Sequence, residues 1–286
     1  MITVSATGKS QPQFHGYLLG AVGPRPIAFA STIDKDGKPN LAPFSFFNVF
    51  SSNPPIAIFS PARSGRDGTN KHTLINVKEV PEVVLNIVNY NMVQQMSLAS
   101  SPYAKGVDEF EKAGFTKLAS KGIKPFRVAE APVTMECIVK EVIELGQGGG
   151  AGNLVVCEVQ LIHIKEEVLD EYGKIDQQKI DLVARMGGNW YCRAHGDALF
   201  EIAKPITTLG IGVDLIPDEI KNSQILSGNN LGQLGNVEHL PTAEEILVYK
   251  NAAHKKFTNT KELHQYAKTL LESNKVDEAW KVLLSN

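Results

Sequence analysis

The first two-thirds of the chain alternates short β-branched apolar runs with clusters of turn formers. Residues 27–33 are apolar and β-branched and run into Asp34-Lys35-Asp36-Gly37-Lys38, whose Asp-Gly pair is a strong turn signal. Residues 41–50 carry four phenylalanines among small residues and predict a strand running into a loop. Asn53-Pro54-Pro55 breaks the pattern before a short buried strand over 56–59. A short helix is predicted over 73–80, with Thr73 placed to cap it, and a strand over 83–88. Residues 91–115 read as mixed helix and loop. Two further apolar runs, 133–145 and 154–164, flank the glycine cluster at 146–152, which predicts a hairpin. About six strands with few helices between them favour an antiparallel barrel or sandwich over βαβ repetition.

Near Lys204-Pro205 the pattern changes to a helical one. Residues 217–225, 243–250 and 261–284 show helical periodicity, and Thr242 with Glu245 before an apolar run forms a capping-box signature. The segments 210–214 and 227–236 are rich in turn formers, and read as a packed surface extension, an active-site lid or a dimer contact. The expected organisation is a β domain over 1–203 and a mostly helical extension over 204–286.

Composition narrows the class. Of 286 residues, 43% are hydrophobic and 21% charged, the balance of an ordinary globular protein. Lys and Arg number 29 against 31 acidic residues, a net charge of −2, which argues against a protein that blankets nucleic-acid phosphates. The three cysteines lack CxxC spacing and the seven histidines lack paired metal spacing, so neither a disulfide framework nor a metal site is expected. No window reaches the roughly 18 apolar residues of a membrane span, and the first ten residues do not read as a signal peptide. A cytoplasmic, soluble protein is expected.

Candidate chemistry concentrates between Pro24 and Asn76. In Pro24-Arg25-Pro26 two rigid residues hold a cation, either as an incidental exposed turn or as a guanidinium aimed at a phosphate or carboxylate. Ser45, Phe46, Phe47 and Asn48 mix aromatic and hydrogen-bonding groups, as a flat, partly apolar ring with one polar edge requires. Alternating phenylalanines also serve as barrel core, so Ser45 and Asn48 are the harder residues to explain by packing. Ser60, Arg63, Lys71 and Thr73 bring hydroxyls and cations to a predicted helix start, the usual equipment for a single phosphate. No GxxxxGK[ST], GxGxxG or GxSxG pattern is present.

These residues resemble the flavin reductase-like, FMN-binding split-barrel flavoproteins. The resemblance rests on Gly23-Pro24-Arg25-Pro26-Ile27-Ala28-Phe29-Ala30-Ser31-Thr32, on Asp36-Gly37, and on the run from Asn40 to Asn48. Lys71-His72-Thr73 with Asn76 and the segment from Ala184 to Tyr191 complete it. It spans about residues 10–200 and departs from the family at His72, where many members carry aspartate. It implies a mainly β fold, a split antiparallel barrel of Greek-key type with peripheral helices. It further implies a homodimer and an FMN site near the subunit interface. Ser45, Phe46, Phe47 and Asn48 line the ring in that reading; Ser60, Arg63, Lys71 and Thr73 serve the ribityl phosphate, with Arg25 assisting. Arg185 and Tyr191 either close the pocket or hold the barrel end.

The implied activity is reduction of flavin, or of an acceptor beyond it, by NADH or NADPH, in a flavin reductase or the reductase component of an oxygenase system. Hydride transfer between nicotinamide and flavin demands no acid–base side chain, so no catalytic residue is assigned. The competing readings are an FMN-binding electron carrier or flavin store without nicotinamide chemistry, and a barrel that binds some other ligand.

Overall fold

The apolar runs of the first two-thirds form one antiparallel sheet in the computed structural model of the protein, which describes residues 1–8, 10–252 and 257–285. The chain divides into two units, Met1–Phe200 and Glu201–Asn286. His254 lies outside the described residues.

The first unit opens with helix α1, Gln11–Ala21, followed by strands β1, Ala28–Ile33, β2, Pro39–Phe44, β3, Phe47–Ser52, and β4, Pro55–Phe59. Helix α2, His72–Glu79, precedes β5, Glu82–Ile87, and helices α3, Val93–Ala99, and α4, Glu109–Ala113. The short pair β6, Lys117–Leu118, and β7, Arg127–Val128, leads to the long hairpin β8, Val133–Glu144, and β9, Asn153–Ile164. A terminal pair, β10, Val183–Arg185, and β11, Tyr191–Arg193, ends the unit.

Seven strands make one sheet in the order β2-β1-β5-β8-β9-β4-β3, every pair antiparallel. Strands β2 and β3 are therefore opposite edges, yet only Ser45 and Phe46 separate them in the chain. Six interstrand gaps of about 4.8 Å would set the edges of a flat sheet about 29 Å apart. Three Cα steps reach at most about 11 Å. The sheet must curl until its edges meet, which yields the split barrel expected from the resemblance.

Strand β1 is buried on both faces and shows the period-2 division directly. Ala28 and Ala30 face an inner cluster with Phe59, Val83, Leu85, Cys137 and Cys157, plugged by Leu74 and Val77 of α2. Phe29 faces the outer cluster, where Met92, Met96 and Phe110 come from the segment around α3 and α4. Burial pushes the Cys137 thiol up to about 12, with Glu136 adding to the effect.

Two expectations are corrected here. Residues 41–50 are two strands, because the chain turns from one sheet edge to the other at Ser45-Phe46. Helix α2 begins at His72 with Lys71 as N-cap, and Thr73 does not cap it. Thr73 is instead fully buried, and its Oγ1 accepts from Asn40 Nδ2 at 2.9 Å. Asn76 Nδ2 likewise donates to Thr32 Oγ1 at 3.1 Å, so both asparagines tie α2 to the β1–β2 hairpin.

The second unit is helical, with α5, Asp218–Lys221, α6, Gly228–Gly235, α7, Ala243–Ala252, α8, Thr260–Glu272, and α9, Val276–Leu283, around a core that includes Leu234, Leu263, Leu271 and Trp280. The capping box at α7 forms as expected: Glu245 N–H donates to Thr242 Oγ1, and Thr242 N–H to Glu245 Oε2. The helix expected over 261–284 breaks at Asn274, whose φ of 57° is left-handed. The turn-forming run 227–236 is mostly helix, because Ser227 and Asn230 cap it reciprocally.

Candidate functional site

The curl of the sheet brings the Ser45-Phe46 corner to the barrel seam, beside the end of β4. The Ser60 N–H donates to the Phe46 carbonyl at 2.8 Å, and the Ser60 hydroxyl accepts from Asn153 N–H at 3.0 Å. These bonds tie the corner to the root of the β8–β9 hairpin. Phe44 and Phe47 pack against the inner cluster, whereas Phe46 stays outside it and remains 40% exposed at the seam. Asn48 is exposed; its Oδ1 accepts from Val49 N–H at 2.8 Å, which leaves its amide donors uncommitted. Ser45 is half-buried.

The 60–70 loop folds back on itself through Gly68 N–H to Ser64 O and Ser64 N–H to Thr69 O, both 2.8 Å. Asp67 Oδ1 accepts from both the N–H and the hydroxyl of Thr69, at 3.1 and 2.7 Å. With the Thr69 hydroxyl as the largest cause, these bonds hold the Asp67 carboxyl at about 2. The loop packs on the hairpin tip: Arg63 N–H donates to Ala151 O at 2.8 Å and Gly150 N–H to Arg63 O at 3.1 Å. A Cβ at Gly149 would sit 3.0 Å from the Ser64 carbonyl oxygen, so this close approach favours glycine. The cluster expected to be a hairpin tip is one, and it also forms a wall of the site.

Arg63 spans loop and hairpin, with Nη2 donating to Glu144 Oε2 at 3.1 Å and Gln147 Oε1 at 3.0 Å. Its Nε is buried without a partner, as is Asn70 Oδ1 nearby in sequence. Lys71 is exposed at the N-cap of α2 and forms no ion pair among the described residues. Helix α2 presents its first-turn N–H groups at that end. His72 is half-buried, and burial, then Lys105 and Lys71, lower its pKa and keep the imidazole neutral. A cleft lined by Lys38, His72, Asn76 and Lys105 has about 10 Å³, room for one water and not for a phosphate.

Arg25 is placed differently from the expectation that it assists a phosphate. It is buried, and its guanidinium donates to the carbonyls of Leu19, Val22 and Met186. Its backbone pairs with Arg185 in both directions, at 2.9 and 2.8 Å. We therefore read Arg25 as the tie between the end of α1 and the β10–β11 hairpin. Thr73, buried against Asn40, has its hydroxyl committed as well. Arg185 stacks 4.6 Å over the Tyr191 ring, which fits a role in holding the barrel end.

The sequence reading missed Asn70, whose unpaired oxygen becomes visible only once the loop is folded, and the whole of α1, which has no apolar stripe to announce it. A roomier cavity of about 420 Å³ lies in the second unit against Val248, Tyr249 and Lys281 and gathers no phosphate-holding set. Among the described residues no cluster of three or more His, Cys, Asp or Glu side chains could hold a metal, and no helix is long and apolar enough to cross a membrane.

A split antiparallel barrel with a polar loop and an uncapped helix start at its seam defines a class of flavin-handling proteins. Residues 21–180 match the flavin reductase-like domain model, and the chain belongs to that family. A protein of Aquifex aeolicus is 36% identical over 185 residues, covering 65% of this chain and 92% of its own length. Nitrilotriacetate monooxygenase component B from Bacillus cereus superposes with a TM-score of 0.66 at 28% identity, over 71% of this chain and 98% of its own. The 2-nitrobenzoate 2-nitroreductase of Pseudomonas fluorescens gives 0.62 at 26% identity, over 73% and 100%. The family match ends before the second unit begins.

Proposed function

We propose that the first unit binds FMN between the Ser45–Asn48 corner and the 60–71 loop and works, as a homodimer, as an NADH- or NADPH-dependent flavin oxidoreductase. The observation that carries this reading is the complementary polar set along the seam. Lys71 and the first N–H groups of α2 suit a phosphate, the orphaned Arg63 Nε is a donor in search of an acceptor, and Asn70 Oδ1 is an acceptor suited to a ribityl hydroxyl. A ligand that is anionic at one end and hydroxylated in the middle answers all of them. At the other end Phe46 offers an aromatic face, and the Ser45 hydroxyl and Asn48 amide offer donors to a polar ring edge.

Bound FMN would supply the redox chemistry, taking a hydride from the nicotinamide and passing electrons onward. The chain's own share is placement. Ser60 fixes Phe46 through the backbone, Arg63 joins loop to hairpin, and donors at the corner favour negative charge on the ring. Two structural relatives above one-quarter identity are named as a monooxygenase component and a nitroreductase, which supports redox chemistry. The homodimer reading draws on edge strand β3, where Val49 and Phe50 are 59% and 65% exposed on an unpaired edge.

The test is to load the purified chain with FMN, remove the excess, and mix it anaerobically with NADH or NADPH. Bleaching of the flavin's visible band with either donor is the expected result. Retained colour without bleaching would make the protein an FMN-binding electron carrier, and failure to take up flavin would overturn the site.

A further inference from the structure

We propose that helix α1 is the outer wall of this flavin site, with His15 as a positioning residue that holds Phe46 at the ring end and Gln11 closing the phosphate end; the inference rests on the FMN reading above. Helix α1 touches the site region at successive points along one face. Gln11 Nε2 donates to the Gly149 carbonyl at 3.1 Å, on the glycine tip against which the 60–70 loop packs. One turn on, the His15 ring meets Phe46 edge-on, with centroids 6.1 Å apart and planes at 87°. A further turn on, Arg25 takes the Leu19 carbonyl, and Gly20 lies so close to Gly187 that a Cβ at Gly187 would sit 3.1 Å from the Gly20 Cα. Residues 11, 15 and 19 follow the i, i+4, i+8 spacing of one helix face. The helix therefore runs from the hairpin tip, past the exposed phenylalanine, to the β10–β11 turn.

Burial does not explain this placement. Helix α1 has no buried side chain, and Tyr17, Leu18 and Val22 are 50%, 48% and 63% exposed. What holds α1 across the seam is the set of polar, aromatic and backbone contacts just named, two of which fall on residues of the proposed site walls. Helix α1 ends at Ala21, the residue at which the family match starts. Phe46 is 40% exposed, and His15 is its aromatic partner among the described residues.

The experiment measures flavin release from the full chain by stopped flow, for FMN and for riboflavin, in His15→Ala, His15→Phe and Gln11→Ala. His15→Ala is expected to speed release of both flavins by roughly two- to tenfold, the worth of one aromatic pair, and to alter the bound flavin's visible band. His15→Phe, which keeps an aromatic edge on Phe46, is expected to restore both readouts. Gln11→Ala is expected to speed release of FMN more than of riboflavin. If the wild-type chain takes up no flavin, the FMN reading fails and this inference falls with it. If it holds flavin and His15→Ala matches wild type in rate and band shape, the wall assignment alone is overturned. It is overturned equally if His15→Phe behaves as His15→Ala, since the aromatic contact then does not act through Phe46.

Discussion

Replacing Lys71 with alanine isolates the phosphate end of the site. Lys71 is exposed and has no carboxylate partner among the described residues, so its removal orphans no buried group and leaves α2 intact. A charge-assisted bond to phosphate contributes about 1–3 kcal/mol. Solvent screening of an exposed ammonium places Lys71 near the low end, about 1–1.5 kcal/mol, or a five- to twelvefold weaker FMN Kd. Riboflavin lacks the phosphate, so its Kd should not change. Raising the salt should shrink the FMN difference, since an exposed charge is screened over about 8 Å at physiological ionic strength. Titration of the chain with both flavins, followed by fluorescence or calorimetry, gives the four constants needed. Arg63→Ala serves as contrast: its guanidinium joins Gly68 O, Glu144 and Gln147 across two loops, so both flavins should weaken together. Equal losses of FMN and riboflavin in Lys71→Ala, or no loss of either, would refute the phosphate assignment.

Two buried carboxylates give opposite pH signatures. Glu136 has no exposed surface; burial pushes its pKa up, but the N–H groups of Lys121 and Gly122 and the His163 ring outweigh that and leave it lowered. Its stabilisation is present above the unfolded carboxylate pKa and is lost as pH falls through the folded one. Glu136→Ala removes the acceptor of those bonds, whose donors lie on the partly exposed residues Lys121, Gly122 and His163, and should cost about 1–3 kcal/mol in urea unfolding at pH 7; a cost below about 0.5 kcal/mol would contradict this. Glu109 is buried, and burial raises its pKa despite the bond from Leu41 N–H. Its charged form therefore opposes folding once pH exceeds the folded pKa, and the opposition fades as pH falls toward the unfolded value. Glu109→Gln should gain stability relative to wild type at pH 7 more than at pH 4, and a pH-independent difference would sink this reading. For the proposed domains 1–203 and 204–286, limited proteolysis should cut first near Ile202, Ile206 and Leu209, which are 72%, 81% and 89% exposed. The N-terminal fragment should keep its flavin; first cuts inside the barrel would count against this division.

The strands were legible because burial of one or both faces writes itself into the sequence. The β8–β9 hairpin was readable from two β-branched runs around glycines, and β1 from a run buried on both sides. Boundaries failed where tertiary contacts decide. Thr73 has the chemistry of a cap, but its hydroxyl is drawn inward by Asn40, and the helix starts one residue earlier. The 227–236 run looked like turn because glycine and asparagine are poor helix formers, yet the Ser227–Asn230 box and Leu234 in the core outweigh propensity. Arg25 between two prolines reads as an incidental turn or as a cation aimed at a phosphate or carboxylate, but three carbonyls from residues 19, 22 and 186 accept from it, a convergence with no local signature.

Helix α1 was illegible for the same reason that it matters to the site. A helix that buries no side chain has no periodic apolar stripe, so only Ser10 at its N-cap and Pro12 in its first turn mark it. Strands β2 and β3 are the two edges of the sheet, and the corner between them carries Phe46 with its ring partly in solvent. An open edge beside an exposed aromatic invites unwanted pairing, and among the described residues the sheet has no eighth strand to close it. At the corner itself the element that meets Phe46 is α1, through His15. A helix held by a few polar and aromatic contacts, rather than by a buried stripe, can be displaced without unpacking the core. At the proposed site, that difference would decide whether flavin is trapped for the life of the fold or exchanges through the seam. The release rates of the His15 and Gln11 variants therefore also bear on whether FMN is a resident group or a passing substrate.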